Sequence, residues 1–464
     1  MRLDSMKTEL YYYDVYPKVI AENKEVEITV RPLGLQCAFP KEGVLLQVCP
    51  MEERSYPLDD KPSAITEYNI IPCDDGCLRF THTFHGEQEH YLRIYYGEKR
   101  RAQLSVYSVH KDLAGLIPLK GDQHLHTIRS DGREDPAIVA AHLRRLGYDY
   151  IAITDHNNFA GSLEAIDAYK DAPIEMHLMT GEEVHMPDCP IHIVHMGGRY
   201  SVNAITQSNY DCIDQRTPGI TKRFPYAWTA GENSEFPGTV SDEKFHELVE
   251  DYAKTLSSIP DDLPKFTYAS FAWVCDQIRK AGGLAIFAHP YWINDLYHVD
   301  ERLTWYIFQQ QKFDAFEVLG GEHYFEQNGF QTLHYDEARA HGMNFPIVGS
   351  SDSHSSVNNR NSDVTWTITF AKDNTTPSIL EAIRARHTVA VDGISKELRV
   401  VGEYRLCKYA WFLTENYFPL HDDVCIEQGR AMKEYYCGDR DKGLRMLKAL
   451  DGEIKEFWAK YLSF

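Results

Sequence analysis

Histidine and carboxylate residues recur in this chain in short clusters that could hold metal ions and hydrolyse a bond. His124 and His126 lie in HLHT, Asp131 in SDG, His156 in TDH and Glu183 in GEEVH. His192 lies in IHIVH, His289 in FAHP, and Asp352 with His354 in SSDSH. Most of them end short apolar runs that read as buried strands. A polar group buried there without a partner costs roughly 2–7 kcal/mol, so such strand ends need something to bind. A metal cluster meets that need for all of them at once.

His124 and His126 are two apart on an expected strand, so their side chains leave the same face. At ~3.3 Å rise per residue they stand ~6.6 Å apart at the backbone. Both rings can therefore reach one zinc-like ion at ~2.0–2.1 Å. Asp352 and His354 repeat the spacing, with Leu125 and Ser353 as the intervening residues. Carboxylates are needed beside the imidazoles because they bridge cations and cancel charge. Alternation puts Glu183 with Gly181 and His185, and Glu182 on the opposite face; it does not choose between the two. His192 and His195 pose the same question, the unchosen one being left as a partner behind the ligands or a proton donor.

The elements that would position these residues begin at LIPLKGDQHLHT. From there short apolar strands alternate with helical stretches such as PAIVAAHLRRLG and FAWVCDQIRKAGG. Seven candidate strands carry ligands or glycines near their C-terminal ends, which describes a β/α barrel with its site at the mouth. Before it, EVEITVRP, GVLLQVCP, CLRFTHTFHG, HYLRIYYG and AQLSVYSV alternate every second residue and predict an antiparallel β-sandwich or small barrel. The stretch 199–267 is polar and weakly periodic, which predicts a lid or substrate-binding insertion. The charged, amphipathic end predicts a helical tail able to make a homo-oligomer contact. The domains are thus expected at 1–115, 116–395 and 396–464.

In order and spacing, HLHT, SDG, GYDYIAITDHN, GEEV, HIVHMGG, AHP and GSSDSH resemble the polymerase and histidinol phosphatase (PHP) superfamily of metal-dependent hydrolases. The resemblance covers roughly 119–393. It implies a distorted seven-stranded β/α barrel with two or three divalent ions at its mouth. Carried across by motif, the ligands would be His124, His126, Asp131, His156, Glu183, His192, His289, Asp352 and His354. The family's glycine-x-glutamate step favours Glu183, and its histidine step before the next glycine favours His192. An N-terminal β-domain ahead of such a barrel is similar to the carbaryl hydrolase-like branch.

Clustered divalent ions suit hydrolysis of a small phosphomonoester or phosphodiester. Carbamates, amides and carboxylic esters are an alternative, with Tyr200, Tyr210, Phe224, Tyr226 and Trp228 available to wall an apolar pocket. A non-catalytic metal-containing binding module is a third reading. Arg129 is the candidate phosphate grip, with Arg133 and Arg199 behind it, while His195 and His323 are candidate proton donors. Zinc, manganese and iron all accept such mixed sites. The net charge of −21, from 48 basic and 69 acidic residues, argues against a nucleic-acid surface. The ten cysteines fall mostly singly, as buried thiols do in an intracellular chain. With no apolar run near ~20 residues, no membrane span is expected, and a small-molecule substrate in the cytoplasm is.

Overall fold

The computed structural model describes residues 7–53, 63–216, 235–320, 325–357, 365–393 and 398–464. His323, Phe224, Tyr226 and Trp228 lie outside them. The chain divides into two compact units: Met1–Ile117 with Tyr404–Val424 and Gly452–Phe464, and Pro118–Glu403 with Cys425–Asp451. The expected single C-terminal tail is thus shared out. Helices Tyr404–Asn416 and Glu453–Tyr461 go to the first unit and Arg440–Leu450 to the second.

The first unit is built on β1 (Tyr13–Tyr16), β2 (Val19–Ala21), β3 (Glu25–Pro32), β4 (Val44–Pro50), β5 (Thr66–Ile70), β6 (Leu78–Thr83), β7 (Gln88–Tyr96) and β8 (Lys99–Val109), with β22 (Leu462–Ser463). One sheet has the order β1-β3-β6 and the other β22-β2-β8-β7-β4-β5. The alternating pattern works as expected. Val15, Ile28, Val30 and Phe80 from one sheet share a core with Leu46, Leu92, Leu104 and Val106 from the other. The ladder is antiparallel except where β2 joins β8 and β22 in parallel.

The second unit is mixed α/β. It holds β9 (Ile117–Asp122), β10 (Tyr150–Ala152), β11 (His177–Met179), β12 (Gly181–Val184), β13 (Ile193–Met196), β14 (Leu284–Phe287), the small hairpin β15 (Ile293–Asn294) and β16 (Leu296–Tyr297), β17 (Ala315–Leu319), β18 (Ile347–Gly349), β19 (Thr365–Ala371), β20 (Thr388–Asp392) and β21 (Arg399–Val401). One sheet runs β11-β10-β9-β19-β20-β21 and another β12-β13-β14-β17-β18. MHLMTGEEVH, expected as one strand, is two: Thr180 separates β11 in the first sheet from β12 in the second. Beyond the ladders, isolated parallel bridges join Leu125 to Ser353 and His156 to Glu183.

Helix Pro136–Arg145 shows why the sequence folds as read. Asp135 caps it by accepting from Ala137 N at 3.0 Å, Pro136 opens it, and Val139, Ala140 and Leu143 face inward. The stretch 199–267 departs from expectation. Ser241 caps helix Asp242–Ala253, whose Phe245 and Val249 enter the main core beside Trp273. Tyr200 is buried with them, against Phe236 at 5.8 Å, so it does not wall an open pocket. Among the described residues no helix is long and apolar enough to cross a membrane.

Candidate metal centre

Two buried aspartates set the ligand-bearing loops. Asp122 ends β9, and its Oδ1 accepts from His124 N at 3.2 Å and from Ser351 N at 3.0 Å. Burial pushes this carboxyl up to about 7, against the hydrogen bonds that lower it. Asp155 accepts from Thr127 N at 2.7 Å, Thr127 Oγ1 at 2.7 Å and Ser130 Oγ at 2.8 Å, and burial raises it to about 6. Gly132 closes the same loop. A Cβ there would stand 2.4 Å from the His126 carbonyl oxygen, so only glycine fits. His289 and Asp352 hold φ of 23° and 46°, conformations that cost a non-glycine residue on the order of 1–3 kcal/mol.

From these supports the nine residues converge. His126 Nε2 and His124 Nε2 lie 2.9 and 3.3 Å from Asp352 Oδ1, and 3.6 and 3.4 Å from Glu183 Oε2. The other Glu183 oxygen, Oε1, lies 2.9 Å from His192 Nδ1 and 3.3 Å from His289 Nε2. Asp131 lies 3.5 Å from His156 Nε2 and 3.4 Å from His354 Nε2. Donors ~2.0–2.1 Å from one tetrahedral ion would stand roughly 3.3 Å apart, which these spacings match. Because β13 runs antiparallel to β12 and β14, His192 reaches the cluster from the start of its strand, whereas its neighbours arrive from strand ends.

The polar atoms themselves test whether a cation fits. Both oxygens of Glu183, Nε2 of His124 and Nδ1 of His192 are buried without a hydrogen-bond partner. Burial would raise Glu183, yet the imidazoles of His156, His192 and His124 outweigh it and hold the carboxyl well below its usual range. Burial pushes His126 down to about 3 and also lowers His192, whereas neighbouring carboxylates outweigh burial at His124, His289, His156 (raised to about 10) and His354 (raised to about 9). Neutral imidazoles beside ionised carboxylates are the protonation states that bind metal. The unpartnered donors therefore fit a divalent metal centre, whose binding would displace the protons held by the raised imidazoles.

The alternation left open in the sequence resolves by contact. Glu182 faces away from the cluster, where it accepts from Ser201 Oγ at 2.5 Å, Val202 N at 2.6 Å and Asn203 Nδ2 at 3.1 Å. His195 joins it through Nδ1 at 3.0 Å and packs fully buried on Phe159. His195 is thus separated from the ligand group, because strand alternation turns it to the opposite face; this corrects its reading as a proton donor. Arg129 is committed to Glu164 at 2.8 Å, and Arg199 pairs with Glu235, so neither guanidinium is held toward the ligands. Three residues not chosen from sequence join the cluster. His185 lies 3.1 Å from His156 Nδ1, His298 packs edge-on against His192 at 4.1 Å, and Glu317 lies 2.8 Å from His124 Nδ1. His185 was legible as a same-face neighbour of Glu183, and Glu317 as a charge inside AFEVL; His298 arrives only through the β15–β16 hairpin.

A cavity of about 520 Å³ adjoins the group, lined by His156, His185, His192, Trp292, Leu296 and His298 among others. No family model matches the chain. A local match, 31% identical over 106 residues, relates it to the DNA polymerase/3'-5' exonuclease PolX of Bacillus subtilis (strain 168). The match takes in 22% of this chain and only 18% of that curated relative. Among solved structures, it is similar to a two-domain protein containing a predicted PHP-like metal-dependent phosphoesterase from Bacteroides vulgatus, at 17% identity and a TM-score of 0.35 over 60% of this chain and 65% of that one. It is also similar to an amidohydrolase from Chromobacterium violaceum with bound sulfate and no metal, at 24% identity and a TM-score of 0.31 over 51% and 87%. In its ordered ligand motifs, which converge at one cleft, and in the local match to PolX, the chain is similar to proteins of the PHP superfamily.

Proposed function

We propose that the chain is a metal-dependent hydrolase, and within that class a phosphoesterase acting on a small phosphomonoester or phosphodiester. The observation that carries this reading is Glu183, a fully buried carboxylate with both oxygens unpartnered and imidazoles on either side of it. In this reading Glu183 would hold metal through both of its oxygens. His124, His126 and Asp352 complete one donor set, His192 and His289 the second, and Asp131, His156 and His354 offer a third. Zinc, manganese or iron held there supplies an activated water and polarises the oxygen under attack. The protein's own part is to fix the donors through Asp122 and Asp155.

The same reading takes β9, β10, β12, β13, β14, β17 and β18 as one distorted seven-stranded barrel. The His156–Glu183 and Leu125–Ser353 bridges support it, since they fall at the two seams between the sheets. A small-molecule substrate and a cytoplasmic setting belong to this proposal as well.

The test is turnover of p-nitrophenyl phosphate and bis(p-nitrophenyl) phosphate by the metal-loaded protein, with E183Q as control. Metal-dependent release from either substrate by the wild type alone is the expected result. Turnover confined to carboxylic esters or carbamates would replace the phosphoesterase reading, and no turnover of any ester would overturn hydrolysis.

A further inference from the structure

We propose that Glu317 is a positioning residue that fixes His124 for metal binding from behind, an inference that rests on reading His124 as a ligand. Glu317 is the middle residue of β17, a strand buried along its whole length. Phe316 and Val318 on either side of it belong to the main apolar core. A carboxylate in such a strand is costly unless a donor meets it. The donor here is His124: Nδ1 lies 2.8 Å from Glu317 Oε2, and both side chains are fully buried.

With Glu317 accepting, as the proposal requires, the proton between them sits on Nδ1. The lone pair of His124 is then on Nε2, which faces Asp352 Oδ1 at 3.3 Å and Glu183 Oε2 at 3.4 Å. Carboxylates behind metal-bound imidazoles fix the tautomer and raise ligand basicity. The other imidazoles are served differently. His354 Nδ1 lies 3.0 Å from the Asp352 carbonyl, a neutral acceptor, and His289 Nδ1 is buried with no partner. Among the described ligand imidazoles, only His124 turns its far nitrogen to a carboxylate outside the ligand set.

Charge points the same way. Asp131, Glu183 and Asp352 bring three negative charges, and Glu317 makes a fourth, the number that balances two divalent ions beside neutral imidazoles. The remaining oxygen, Oε1, is buried without a partner, so Glu317 is not fully served by hydrogen bonds alone.

The experiment is a Zn²⁺ titration, by calorimetry, of chelator-stripped wild type, E317Q and E317D, with thermal unfolding of each metal-free form. For E317Q we expect the same stoichiometry but about 10–100-fold weaker binding of one equivalent, the range seen for carboxylates behind a ligand. The metal-free Tm should move by only a few degrees, since the isostere fills the same space. E317D, which keeps the charge, should fall between the two and carries the test if E317Q does not fold. Zn²⁺ affinity unchanged in both variants, with or without a lowered Tm, would overturn the proposal. So would loss of a whole equivalent, which would make Glu317 a ligand in its own right. Wild type that binds no Zn²⁺ defeats the metal reading itself, whereas tight wild-type binding with unaffected variants defeats the role of Glu317 alone.

Discussion

Strands β12 and β13 carry two glutamate–histidine pairs, one on each face, and the two behave as opposites. Glu182 is buried with a full set of donors: a serine hydroxyl, a backbone amide, an asparagine amide and the imidazole of His195, whose far nitrogen, Nε2, is buried without a partner. Glu183 and His192 are equally deep in the chain's sequence, one residue and three residues away, yet both Glu183 oxygens and His192 Nδ1 lack any hydrogen bond. Burial alone does not separate them, since both glutamates are fully buried. Satisfaction does. A carboxylate that its own fold has served holds structure together, and one left unserved among imidazoles is shaped for a cation.

The sharpest way to break this contrast is E183Q. Removing the carboxylate charge should lower metal affinity by more than about 100-fold, beyond what loss of a carboxylate behind a ligand costs, and remove turnover. Calorimetry and elemental analysis check it; wild-type metal content in E183Q would erase the distinction. The mirror experiment, E182A, should leave metal binding intact while costing about 3 kcal/mol in chemical denaturation, because it strands several buried donors. Lost metal with unchanged stability would mean the faces had been read backwards. S201A should repeat that outcome on a smaller scale, about 1 kcal/mol, since Ser201 supplies one donor to Glu182.

A fourth prediction tests a buried histidine far from the ligand motifs. His90 in the first unit lies 2.8 Å from Ser108 Oγ and edge-on to Phe84, and burial pushes it down to about 3. Its folded pKa is below its unfolded value of 6.5, so its neutral form favours folding at higher pH. That contribution should be complete above about pH 6.5 and fall away toward pH 3, and H90Q should flatten this part of the pH–stability curve. An identical acid profile in H90Q would remove the effect.

How much was legible follows from the same physics. HxH and DxH could be read as ligand pairs from residue type and spacing, although both lie in loops past the ends of β9 and β18 and not on strands, with Asp352 at φ 46°; GEEVH could not be resolved, because adjacent glutamates differ only in which face meets donors from Ser201 to Asn203. Those donors lie on a later loop whose course no local pattern encodes. The helix Asp242–Ala253 was missed although Ser241 and an acidic first turn announced it, because the polar residues around it hid the Phe245 and Val249 stripe. His298 was beyond reach, since only the two-stranded hairpin brings it back over His192. In the first unit β3, β4, β6, β7 and β8 were read directly from their alternation, whereas the short β1, β2, β5 and β22 carried too few residues to show a period.

Asp122 grips the amides of His124 and Ser351 with a single oxygen, although 229 residues separate it from Ser351. The first and last arms of the ligand array are consequently fastened by one latch, which neither arm can close alone. During synthesis that latch stays open until the chain past Ser351 has emerged, and closing so long a loop is a slow, late event. Ion uptake is thereby tied to completion of the second unit, and a truncated nascent chain has no finished cage in which to trap metal.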